Sequence, residues 1–101
     1  MGVESGTVPE NFRADLDRAV TVLRDHGARE VYVFGSVVER LDGVDPNDLD
    51  IAVSGLLPRQ FLHAYGVLLG ELEYPFDLVD LDSDGRLSRR LRERGKLERV
   101  A

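Results

Sequence analysis

The sequence predicts an α/β domain built on a small mixed sheet of three strands, or slightly more, flanked by helices. Three observations lead there. Segments with apolar residues three and four apart alternate with short β-branched and aromatic runs, and Gly/Pro/Asp-rich stretches separate them. With 101 residues there is room for one core, so we read 1–101 as a single domain with residues 1–8 as a flexible N-terminal segment. The order helix, strand, short helix, strand, helix, strand, helix is that of helices packed on a sheet.

Residues 9–26 place Phe12, Leu16, Ala19, Val20 and Leu23 on one helical face, with Pro9 in the first turn and Gly27 as the stop. Val31 to Phe34 is a buried strand that ends at Gly35. Residues 36–41 suit a short helix, and Asp42 to Asn47 a loop. Asp48 to Val53 is the second strand, with Leu49, Ile51 and Val53 on one face and Asp48, Asp50 and Ala52 on the other. Pro58 opens a helix to about Leu72, whose expected core stripe is Phe61, Leu62, Tyr65, Leu68, Leu69 and Leu72. Phe76 to Leu81 is the third strand, in which Asp77 shares a face with Val79 and Asp80 points the other way. Residues 86–95 form a last helix, with Leu87 and Leu91 toward the core and Gly95 as its end. A helix joins strands two and three, so these two run parallel, whereas strands one and two are expected to be antiparallel. Gly35, Ser36, Asp48, Asp50 and Asp77 then fall at one rim.

Composition narrows the chemistry. Without cysteine there is no disulfide, thiolate metal site or Cys nucleophile, so metal ligands must be oxygen or imidazole. The formal charge of -6 is uneven: residues 86–101 hold 7 bases and 2 acids, and the rest of the chain 6 bases and 17 acids. A net-acidic body argues against broad DNA binding, which depends on neutralising phosphates, and leaves nucleic acid a role only as an acceptor. The basic segment is a solvated surface or a docking helix for an acidic partner. The segment MGVESGTVPENF has neither a basic nor an apolar leader region, and no run of about 18 apolar residues occurs, so no membrane association is expected and a cytoplasmic location is.

Two carboxylates at i and i+2 on a strand project from one face with Cα atoms roughly 6.5–7 Å apart, close enough to serve one cation or a near pair. Asp48 and Asp50 have that relation. Hard cations such as Mg²⁺ take carboxylates together with substrate phosphates, and two such ions can serve the attacking and leaving oxygens of an in-line displacement. Gly35-Ser36, between a strand and a helix start, offers backbone N–H groups and a hydroxyl to a phosphate.

These segments together resemble the DNA polymerase β-like nucleotidyltransferases, above all the minimal nucleotidyltransferases paired with HEPN-domain proteins. The resemblance runs from about residue 12 to residue 99 and rests on VYVFGS, NDLDIAV and FDLVDLD, with ERGKLERV as a similar tail. It implies a palm-like nucleotidyltransferase fold. Gly35 and Ser36 would bind nucleotide phosphates, and Asp48, Asp50 and Asp77 would bind two Mg²⁺ ions, or Mn²⁺, and carry catalysis. The reaction implied is transfer of an NMP, AMP from ATP, to a hydroxyl of a protein or nucleic acid, as the antitoxin of a HEPN pair. The partner would be a HEPN-domain protein or a second copy. The alternative is a non-catalytic antitoxin that acts by contact. The chain departs from the family pattern at Val37-Val38-Glu39-Arg40 and at Asn47, with a longer loop.

Other patterns carry less. Asp80-x-Asp82-x-Asp84-Gly85 imitates an EF-hand start, but Leu91 stands where the bidentate Glu belongs, so Asp82 to Gly85 is better read as a turn and helix cap. His26 reads as a helix-end group complementing the dipole and His63 as a surface residue, neither catalytic. VFGSVV lacks the second glycine of a hydrolase elbow.

Overall fold

The computed structural model describes residues 10–34, 49–83, 85–94 and 97–101. The expected short helix over 36–41, the loop over 42–47, Gly95 and the N-terminal segment lie outside them. The elements are α1 (Glu10–Asp25), β1 (Glu30–Phe34), β2 (Leu49–Ser54), α2 (Pro58–Glu71), β3 (Phe76–Asp80), α3 (Arg86–Arg94) and β4 (Glu98–Arg99). They form a mixed α/β fold around a four-stranded sheet of order β3-β2-β1-β4. β1 runs antiparallel to β2 and to β4, and β2 runs parallel to β3.

Alternation along the strands sorts the sheet into two faces. Val31, Val33, Leu49, Ile51, Val53 and Leu78 pack under α1 and α2 with Phe12, Leu16, Leu23, Ala64 and Leu68. Each large side chain fully buried there contributes about 1.5–3 kcal/mol. The opposite face holds a smaller cluster of Ala52, Leu81 and Leu91, flanked by Tyr32, Phe34, Val79 and Leu97, with α3 above it.

Local chemistry ends the elements where the chain must turn. Gly27, at φ 110°, closes α1: its N–H donates to Arg24 O (3.0 Å) and Ala28 N–H to Leu23 O (3.0 Å), the paired bonds of a Schellman motif. Pro58 opens α2, where its missing N–H costs nothing. Gly55, at φ 92°, lies against Arg29, whose side chain a Cβ there would strike.

Two expectations need correction. Leu62 and Leu69 are not in the core of α2 but 72% and 62% exposed, and Leu87 is exposed on α3, where Ser88 is buried instead. The tail also supplies an additional strand, since Tyr32 pairs with Arg99 and Val33 with Glu98. Among the described residues no helix is long and apolar enough to cross a membrane.

Candidate active site

The register brings two of the predicted acids together. Phe34 at the end of β1 pairs with Asp50 near the start of β2, and Asp50 pairs with Asp77 near the start of β3. Paired positions on adjacent strands share a face and lie about 4.8 Å apart. Asp50 and Asp77 thus stand side by side, Asp50 half-buried and Asp77 exposed, two residues toward the rim from Ala52 and Val79. Like charges so placed repel, which is a cost that a bound cation offsets. Gly35, Ser36 and Asp48 lie outside the described residues. Among the described residues, no three His, Asp or Glu side chains gather closely enough to hold a metal ion.

A residue that sequence reasoning did not single out aligns this rim. Asp15, on α1, is only 4% exposed. Its carboxylate accepts the N–H of Glu73 (3.1 Å to each oxygen) and of Tyr74 (2.8 Å), in the connection that leads into β3. Next in the chain, Pro75 O accepts Leu49 N–H at 3.0 Å, which seats the start of β3 against the start of β2. Asp15 therefore fixes the chain two residues before the strand that carries Asp77. The sequence signal was a lone acid on the apolar side of a helix, between Phe12 and Leu16.

Asp82 takes the turn role expected of it, beside Asp80 at the end of β3. Asp80 Oδ1 accepts Asp82 N–H (2.9 Å), Asp82 Oδ2 accepts Gly55 N–H (2.7 Å), and Ser88 Oγ donates to Asp80 O (2.6 Å). At the far end of the sheet, Glu30 accepts from Ser54 Oγ (3.1 Å) and pairs with Arg99 (3.4 Å), tying β4, β1 and β2 together. Burial pushes the Tyr32 hydroxyl above its ordinary range, as do its hydrogen bond with Glu30 and that residue's charge, while Arg99 opposes them. A polar cleft of about 470 Å³ opens there between Arg29, Glu30, Asp82 and Arg99, whose charges balance, and it lies away from the aspartate rim.

No family model and no curated protein matches the chain. Solved structures do. One described as a minimal nucleotidyltransferase superposes with a TM-score of 0.59 at 25% identity, covering 92% of this chain and 98% of that one. The chain has the minimal nucleotidyltransferase fold. The crystal structure of the toxin–antitoxin pair MntA–HepT gives a TM-score of 0.55 at 26% identity, over 83% of this chain and 68% of that one. A variant of that complex, with two aspartates two positions apart changed to glutamate, gives 0.54 at 26% identity over 79% and 68%. In general kind this minimal nucleotidyltransferase-like chain stands with nucleotidyltransferases and with members of toxin–antitoxin pairs.

Proposed function

We propose that this chain is a Mg²⁺-dependent nucleotidyltransferase that moves AMP from ATP onto a hydroxyl of its partner, as the antitoxin of a HEPN-type pair. The observation that carries the reading is the register of Asp50 and Asp77 beside the end of β1, on a fold shared with a chain of the MntA–HepT pair. The donor set fits the ion: carboxylate oxygens at one rim suit a hard cation. Asp48, Asp50 and Asp77 would hold it, with Gly35 and Ser36 on the nucleotide phosphates. The i, i+2 spacing of Asp48 and Asp50 equals that of the two aspartates altered in the complex variant, which supports the pairing. Bound there, Mg²⁺ would supply positive charge to the phosphate oxygens and to the attacking and leaving oxygens of an in-line displacement. In that reaction the acceptor oxygen bonds to the α-phosphorus, the bond to pyrophosphate breaks, and Asp77, the more exposed acid, takes the hydroxyl proton.

The acceptor belongs to a second protein in this reading. An apolar groove of about 540 Å³ between α2 and α3, lined by Pro58, Phe61, Leu62 and Leu87, gives such a partner a surface, and α3 beside it is rich in arginine. The test is incubation with labelled ATP, Mg²⁺ and the product of the adjacent gene, followed by mass spectrometry of both proteins. One AMP added to the partner is the expected result. A partner that is bound and neutralised without any added mass would instead establish the contact-only antitoxin.

A further inference from the structure

The chain has two histidines, and they meet. His26 Nε2 lies 2.7 Å from His63 Nδ1, with ring centroids 4.9 Å apart and ring planes at 46°. Nothing in the sequence joins them, because their meeting depends on how α1 packs beside α2.

His26 is committed by its place in the fold. It sits between the last residue of α1 and Gly27, and its Nδ1 is 2.7 Å from Val22 O. A carbonyl only accepts, so Nδ1 carries the proton and a neutral His26 presents Nε2 as a lone pair. His63 Nδ1–H fills that lone pair. A ring that donates one nitrogen to a backbone carbonyl and offers the other as a lone pair is arranged as metal-ligating histidines are. The negative end of the α1 dipole favours a cation, as does Asp25, while Arg24 and Arg59 oppose it.

We propose that His26 and His63 form a two-imidazole site for a borderline divalent cation of the Zn²⁺, Ni²⁺ or Cu²⁺ class, joining the end of α1 to α2. The site is separate from the aspartate rim and does not depend on the transferase reading. Two nitrogens each about 2.0–2.1 Å from a tetrahedral ion stand roughly 3.3 Å apart, so the pair must open by about 0.6 Å and the rings must tilt until both lone pairs meet the ion. His63 is exposed, and on binding its proton moves from Nδ1 to Nε2 with no net proton lost. Water completes the coordination. Imidazole suits these ions, whereas Mg²⁺ prefers oxygen.

The test titrates the full chain with ZnCl₂, NiCl₂ or CuCl₂ by calorimetry in chelator-free buffer containing excess Mg²⁺, beside thermal melts and Cu²⁺ electron paramagnetic resonance. One ion per chain is expected, with nitrogen hyperfine structure and a raised Tm. His63→Ala, an exposed change, should weaken binding by at least the roughly 10- to 100-fold that loss of an outer-shell partner costs, and should abolish the Tm shift. Asp50→Asn should leave both intact. Equal binding by His63→Ala, or loss of binding in Asp50→Asn, overturns the site.

Discussion

Single side chains at the rim divide into those that would react and those that hold them in place, and substitution separates the two. Asp50→Asn keeps the shape and removes one of two adjacent charges. The metal-free chain should therefore melt at the same temperature or higher in EDTA, because repulsion across the Asp50–Asp77 pair is relieved. Transfer to the partner should fall by about 100-fold or more, since electrostatic stabilisation is the main contribution to such reactions. A variant that melts several degrees lower in EDTA yet transfers normally would show that Asp50 is structural. Asp15→Ala should behave in the opposite way. It takes the carboxylate from the part-buried N–H groups of Glu73 and Tyr74, at a cost of about 1.5–3 kcal/mol, and shows as a lower urea midpoint. An unchanged midpoint would remove Asp15 from the account of how β3 is placed. The acids on the strands were legible in the sequence because alternation fixes their face. Asp15 was not, because its partners lie 58 and 59 residues away.

At the scale of elements, periodicity located the helices and strands but misplaced the buried arcs. On α2 the inner positions are Phe61, Ala64, Tyr65, Val67 and Leu68, with Leu72 just past its end, centred between Phe61 and Ala64 at roughly 100° per residue. Leu62 and Leu69 fall about 110–130° from that centre and are exposed. On α3 the inner positions are Ser88 and Leu91; Ser88 is buried because its hydroxyl donates to Asp80 O and meets Ser83 Oγ at 2.8 Å. Hydropathy alone could not prefer that serine to Leu87. The difference is measurable: Leu91→Ala should cost about 2–5 kcal/mol, whereas Leu62→Glu with Leu87→Glu should stay within about 0.5 kcal/mol per site by denaturant unfolding. The same double variant should lose affinity for the partner in a pull-down while still binding ATP. Retained partner affinity would place the contact elsewhere on the molecule.

For the whole molecule, the basic segment is inseparable from the fold. Val100 and Ala101 pack against the main core, Val31 N–H donates to Ala101 O (3.0 Å), and Leu91 completes the second cluster. Truncation at residue 85 would strip an edge strand from β1 and uncover Ala52 and Leu81, so it should unfold the chain rather than isolate a docking function. The sequence showed the basic charge of this segment but not its pairing, since a two-residue strand has no periodicity to read. The isolated, intact chain gives the sharper test of the proposed activity. If its rim binds nucleotide but the acceptor is on another protein, ATP with Mg²⁺ should stabilise it with little turnover. At a ligand concentration near 100 times Kd the gain is about 2.7 kcal/mol, or several degrees in Tm. That shift should vanish in EDTA and in Asp50→Asn, while adding the partner should start transfer in the unmodified chain alone. Stabilisation by ATP that survives both EDTA and Asp50→Asn would mean that the nucleotide binds away from the aspartates, and the rim would then lose its claim to the chemistry.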